Sequence, residues 1–156
     1  MNRTFKKQGK YFARRQRRGV AIVEFALLVP VLLAMLLGIL ESGWMVKNYL
    51  TLANATRDGA RIAAVGSTNA ATQTRIQNSC SPLSVVSPNG SVLLQYSVNN
   101  DTTYTTWPAD SGTGNGVPSG QMIKVTSISR HKPLTGFFSF LNNRDLRVSV
   151  TMRREP

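Results

Sequence analysis

The 156-residue chain is poor in the side chains that hold metals or carry covalent chemistry. It has one cysteine, Cys80, and one histidine, His131. A single cysteine excludes an internal disulfide framework and a cysteine-based zinc site, and a single histidine excludes a histidine cluster. A nucleophile–base pair would need Cys80 and His131 to meet, and no local motif supports such a pair. We therefore predict no enzymatic activity, no cofactor and no metal site.

Acidic residues are also scarce, with 7 Asp and Glu against 19 Lys and Arg, which gives a net charge of +12. Such an excess is typical of proteins that bind nucleic acid or an anionic membrane. The positive charge is concentrated at one end, because residues 1–19 contain eight Lys and Arg and no acid. Those eight account for two thirds of the net charge, so we expect no nucleic-acid partner for the rest of the chain.

A long apolar run follows the basic segment. Residues 20–40 contain one charged side chain, that of Glu24. As an α-helix these residues span roughly 30 Å, the thickness of the hydrocarbon core of a bilayer. A cleaved secretory signal peptide has a shorter apolar region and an Ala-x-Ala type of cleavage site, which residues 38–44 do not offer. The run therefore predicts a transmembrane helix.

The charges on either side of the run predict its orientation. The positive-inside rule keeps the basic N-terminus in the cytoplasm and sends the C-terminal part across the membrane. In a bacterium the chain would be a single-pass inner-membrane protein with a periplasmic domain. We predict a basic cytoplasmic leader (1–19), a transmembrane helix (20–42), an extension of that helix (43–66) and a periplasmic α+β domain (67–156).

Two residues within the predicted span are unusual. An ionised Glu24 within a membrane costs a few kcal/mol and implies a partner, unless the side chain reaches headgroup water. Pro30 cannot donate a hydrogen bond to the carbonyl of Ala26, which predicts a helix kink there.

The part outside the membrane predicts an α+β fold, with the long N-terminal transmembrane and stalk helix packed on a small antiparallel sheet. Three runs alternate or are β-branched, at residues 91–98, 122–130 and 146–152. Residues 67–78 are polar and predict a short helical turn. Gly66 is a natural stop for the long helix, whose inward face is predicted to include Met45, Tyr49, Leu52, Thr56, Ala60 and Ala63. Phe137, Phe138 and Phe140 are candidates for core packing or a subunit contact.

Several stretches resemble one known family. Residues 17–28, with Gly19 after a basic leader and Glu24 five residues beyond it, resemble a class III signal sequence of the type IV pilin superfamily. The sequence of residues 19–33 resembles that of the TadE-like proteins of the tight-adherence (Tad or Flp) pilus. The later blocks 40–43 (LESG), 54–61 (ending GAR), 132–135 (KPLT) and 151–156 (TMRREP) resemble further motifs of that family.

The resemblance implies a minor pseudopilin, a structural and assembly subunit of the Tad pilus machinery with a pilin-like fold. It implies cleavage by a prepilin peptidase between Gly19 and Val20, and a role for Glu24 with the adjacent Phe25 in subunit pairing. The implied partners are the prepilin peptidase, other pilins and pseudopilins, the inner-membrane assembly platform and membrane lipid. The alternative is a permanently anchored single-pass protein with a periplasmic binding or adhesion domain. The sequence does not distinguish a tip, filament or membrane-complex location.

Overall fold

The computed structural model describes residues 9–98, 103–108, 110, 114–136 and 143–156, with side chains from Gly19 onward. The chain divides into two compact units, Met1–Leu40 and Glu41–Pro156. The elements in chain order are α1 (Gly9–Ala64), α2 (Asn69–Ser79), β1 (Gly90–Ser97), β2 (Thr105–Thr106), β3 (Met122–Arg130) and β4 (Asp145–Arg153). Helix α1 contributes to both units.

The first unit contains the apolar part of α1. Its large apolar side chains are exposed, as Leu27 and Ile39 show at 71% each. Among the described residues, one helix is long and apolar enough to cross a membrane, and its most apolar stretch is entirely unburied within the chain. Exposure of this kind places the apolar surface against a non-aqueous medium or another helix.

The second unit is built on a four-stranded antiparallel sheet of order β2-β1-β3-β4. Strand β3 lies in the middle, with Val125 opposite Leu94 of β1 and Val150 of β4. The predicted strand 122–130 coincides with β3, and the other two predicted strands each differ from β1 and β4 by one residue at their ends. The two-residue strand β2 comes from a Thr-rich segment that gave no strand signal.

The core of the second unit lies between the sheet and the C-terminal part of α1. Leu52, Ala60 and Ala63 of α1 belong to the same buried cluster as Ile123 and Val125 of β3. The α+β prediction, a long N-terminal helix packed on a small antiparallel sheet in a pilin-like arrangement, is confirmed.

The prediction that Tyr49 lies on the inward face of α1 is wrong. Tyr49 is 46% exposed, whereas its neighbour Asn48 is 3% exposed. The buried residues Glu41, Asn48 and Leu52 lie on a single face of the helix, at intervals of seven and four residues. Tyr49 lies about 100° further around the helix than Asn48. The sequence favoured Tyr49 because it is the more apolar residue of the pair.

Between α1 and α2, one capping motif ends the first helix and another begins the second. Gly66 has a φ of +98°, and the N–H groups of Gly66 and Ser67 donate to the carbonyls of Ala63 and Ile62 at 2.9 and 3.1 Å. This pair of bonds is a Schellman motif, in which glycine is favoured because its left-handed conformation costs little. Thr68 then caps α2 by accepting from the N–H of Ala71 at 3.2 Å.

Candidate functional site

The residues implicated in processing and pairing lie on one exposed stretch of α1. Gly19, Val20, Glu24, Phe25 and Pro30 are all exposed within the chain. Phe25 is 65% exposed. Among the residues whose side chains are described, none forms an ion pair or hydrogen bond with the Glu24 carboxylate.

Gly19 has no packing partner that requires a glycine. A Cβ placed on it would meet nothing within 4 Å. Glycine inside a helix costs roughly 1 kcal/mol relative to alanine, and no contact with a described residue offsets that cost here.

Pro30 lies inside α1, and the helix continues on both sides of it. Its ring cannot donate the hydrogen bond that a helical residue normally gives to the fourth carbonyl before it. The helix kink at Pro30 stays a prediction, and so do the roles of Gly19, Val20, Glu24 and Phe25.

A second carboxylate on α1, that of Glu41, has the opposite environment. Glu41 is 1% exposed. The N–H of Leu134 donates to Oε1 at 2.9 Å, and the N–H and hydroxyl of Thr135 each donate to Oε2 at 3.0 Å. Both carboxylate oxygens are therefore satisfied by one loop, the segment that follows β3. We call this arrangement the Glu41 clamp.

The local sequence explains why the loop can act as a clamp. Strand β3 ends at Arg130, and Pro133 then stops the chain from continuing as a strand because it lacks an N–H and fixes φ. The two N–H groups that follow Pro133, those of Leu134 and Thr135, are thus left free of the sheet and turn toward the helix. Bonds from N–H groups to an ionised carboxylate are stronger than bonds between neutral groups.

His131 lies beside the clamp. Its ring is fully buried, and Nε2 is 3.6 Å from Oε1 of Glu41. The His131 N–H donates to the carbonyl of Arg144 at 2.7 Å, which fixes the backbone. Neither ring nitrogen has a hydrogen-bond partner among the described residues. The imidazole therefore interacts with the carboxylate electrostatically and not through a hydrogen bond.

The clamp favours the ionised form of Glu41. Three donors converge on its two oxygens, and an ionised carboxylate accepts hydrogen bonds at both oxygens. The ionised form is thus the one that fits the loop.

The C-terminus of the chain closes the other end of this part of α1. Arg154 Nη1 and the N–H of Glu155 both donate to the carbonyl of Ala64, at 3.0 and 2.9 Å. The side-chain amide of Asn115 donates to the carbonyl of Ala63 at 2.9 Å. These bonds satisfy carbonyls that a helix end leaves without partners, and the guanidinium complements the negative end of the helix dipole.

Helix α2 packs on α1 at Gly59. A Cβ on Gly59 would overlap the Ile76 side chain, which is fully buried. Arg75 of α2 also donates to Asp58 of α1 at 3.1 Å. Gly59, which weakens a helix prediction when read from sequence, therefore has a packing reason.

The structure does not bring Cys80 and His131 together as a nucleophile and base. Cys80 is fully buried, and its thiol faces the carbonyls of Gln77 and Leu83, each at 3.4 Å. Burial raises the pKa of the Cys80 thiol, and an intermolecular disulfide would need an exposed sulfur. His131 faces Glu41 instead. Among the described residues no group of three or more His, Cys, Asp or Glu could hold a metal ion.

Asp110 accepts a hydrogen bond from the N–H of Asn69 at the start of α2 at 2.8 Å. The candidates Phe137, Phe138 and Phe140 lie outside the described residues.

The sequence did not predict the Glu41 clamp, although both segments that form it stood out as motifs. The LESG and KPLT blocks were identified separately, but the bonds join residues 93 and 94 positions apart. His131 gave no signal beyond being the only histidine. One sequence feature could have predicted a loop of N–H donors. It is a glutamate that directly follows an apolar run, on the inward face of the continuing helix.

Comparison with known families gives one match. The model of the TadE-like protein family matches residues 19–61, from the glycine at the start of the apolar run to the arginine of the GAR block. Neither the curated proteins nor the solved structures with which the chain was compared gave a match.

Proposed function

We propose that this chain, in which residues 19–61 form a TadE-like family domain, is a minor pseudopilin: a structural and assembly subunit of a Tad type IV pilus machine. TadE-like proteins are a structural, pilus-associated family. The proposal adds that the chain is anchored in a bacterial inner membrane with its N-terminus in the cytoplasm and its second unit in the periplasm.

One observation carries the proposal. The family match begins at Gly19 and spans both an exposed apolar helix and the buried helix of a folded unit. A single helix thus includes a membrane-length apolar segment and also contributes to the core of an α+β domain. That combination suits a subunit that is held in a membrane and then packs its helix among others.

The first step of the mechanism is processing at Gly19. Hydrolysis of the Gly19–Val20 peptide bond consumes one water and leaves a carboxylate on Gly19 and an ammonium on Val20. No described residue would contact a Cβ at position 19, and we assign the role of this glycine to another molecule. A peptidase whose active site lies close to the backbone would require glycine here, because any side chain there would collide with it.

The second step is pairing at Glu24. Removal of the leader takes away all eight basic residues and creates the ammonium of Val20. The Glu24 carboxylate of one subunit would pair with this ammonium on a neighbouring subunit, with the exposed Phe25 packing beside it. Pairing offsets the high cost of two separate charges in an apolar bundle.

Determination of the N-terminal residue of the protein extracted from its native membranes tests this proposal. We expect the chain to begin at Val20. Gly19→Phe should retain the leader, whereas Gly43→Ala, at an exposed helical glycine with free space around it, should be processed normally. A wild-type protein that still begins at Met1 would contradict processing and support the permanently anchored alternative.

A further inference from the structure

We propose that a cleft in the second unit binds the phosphate of an anionic phospholipid headgroup. The cleft has a volume of about 230 Å³, and its lining includes Arg130 and Lys132 from the end of β3 and Trp44 and Asn48 from α1. We call it the Arg130 cleft. The inference rests on the membrane anchoring in the proposed function, but not on processing or assembly.

The charges that line the cleft suit an anion. Arg130 and Lys132 contribute two positive charges, and none of the lining residues is acidic. The nearest carboxylate to Arg130 is that of Asp145, with Oδ1 4.0 Å from Nε, and both side chains are substantially exposed. An exposed pair at this distance is weak, so the guanidinium keeps donors for a phosphate, which it can bind with two parallel bonds.

The uncharged side chains of the cleft add donors. Asn48 lines the cleft, and its side-chain amide can donate a hydrogen bond to a group that enters the cleft. Ser84 and Asn89 also line the cleft and offer a hydroxyl and a second amide.

The place of Trp44 in the sequence favours a lipid over a soluble anion. Trp44 follows Leu40, the last residue of the apolar run, by four positions, which is about 6 Å along a helix. The headgroup layer on each side of a bilayer is about 5–8 Å thick. Tryptophan is enriched at this depth, and the Lys47 ammonium lies 4.4 Å from the centre of the Trp44 ring.

Apolar side chains accompany the charges. Pro82 and Leu83 line the cleft, and Leu134, which follows Lys132 by two residues, is 57% exposed. A free phosphate would gain nothing from these side chains, whereas the acyl and glycerol parts of a lipid would contact them. The shared ligand chemistry is a phosphate, and we assign it to the lipid.

The test uses the full chain in detergent micelles and measures the thermal midpoint of unfolding against added phosphatidylglycerol, phosphatidylcholine or inorganic phosphate. We expect phosphatidylglycerol to raise the midpoint more than phosphatidylcholine, and inorganic phosphate to leave it unchanged. The double variant Arg130→Gln/Lys132→Gln should bind phosphatidylglycerol roughly 25-fold more weakly, since each cation near an anionic lipid contributes about fivefold.

The control is Arg57→Gln/Arg147→Gln, which removes two exposed positive charges that do not line the cleft. This variant should respond to phosphatidylglycerol as the wild type does. Native mass spectrometry of the same samples counts retained lipid directly and does not depend on the stability of a variant. Undiminished lipid binding by the Arg130/Lys132 variant would overturn the site, and an equal response to inorganic phosphate would overturn the lipid assignment. Either result leaves processing at Gly19 untouched.

Discussion

Helix α1 carries two glutamates whose surroundings differ completely, one in each unit of the chain. Glu24 is exposed in the apolar first unit and has no described partner, whereas Glu41 opens the second unit and accepts three hydrogen bonds from one loop. A carboxylate satisfied within its own chain has a structural role. For a carboxylate that has no described partner in an apolar setting, we propose a partner on a neighbouring subunit.

The glycines of α1 repeat this contrast. Gly19 and Gly43 have free space where a Cβ would lie, whereas a Cβ on Gly59 would overlap Ile76. The requirement for glycine at position 59 therefore comes from the fold. For Gly19 we propose a requirement set by the peptidase, which Gly43 does not share.

The largest expected effect is that of Glu41→Gln on folding. The amide of glutamine would turn an NH₂ group toward the N–H of Leu134 or of Thr135, so that donors face each other in a buried site at a cost of about 3 kcal/mol. The thermal midpoint of the full chain in detergent should therefore fall by roughly 10 °C or more. Glu24→Gln, the matched variant on the same helix, should leave the midpoint unchanged. Equal midpoints for the two variants would contradict the contrast between the glutamates.

Gly59→Ala should destabilise the second unit by about 1–3 kcal/mol, because the added methyl overpacks the contact with Ile76. Gly43→Ala should instead stabilise the chain by up to about 1 kcal/mol, since alanine is the better helix former and nothing obstructs its methyl. Denaturant unfolding in detergent measures both. A destabilising Gly43→Ala would show that this position, too, is restricted by packing.

Arg154→Ala should cost about 1–2 kcal/mol through loss of the bond to the Ala64 carbonyl and of the favourable charge at the helix end. Arg153→Ala is the control, because Arg153 is exposed and bonds only to the Gly120 carbonyl outside the helix. The difference in unfolding free energy between the two variants measures the contribution of the chain terminus to α1. If the two lose the same amount, the terminus does not cap the helix.

The sequence was sufficient for features set by local patterns. Alternation along residues 122–130 predicted β3, and Gly66 marked the end of α1 because few other residues tolerate its left-handed conformation. The Glu41 clamp could not be predicted in the same way. Its strength comes from backbone N–H groups, which every residue except proline carries, and from a pairing across more than ninety positions.

The sequence was also insufficient to predict which of Asn48 and Tyr49 is buried on α1. Hydropathy favoured Tyr49 as the inward residue, but the helical phase set by Glu41 and Leu52 buries Asn48. A polar residue on a buried face is invisible to a pattern of apolar spacing. For the same reason the Arg130 cleft, to which Asn48 contributes, gave no sequence signal.

We propose that Glu24 acts between subunits, whereas Glu41 acts within one subunit. The most direct test of this claim is the fraction of each variant that co-isolates with sibling pilins and pseudopilins from native membranes, compared with the amount of processed, folded subunit. We predict that Glu24→Gln is processed and folded as the wild type is but is absent from the isolated assemblies. Incorporation of Glu24→Gln at the wild-type level would contradict the claim.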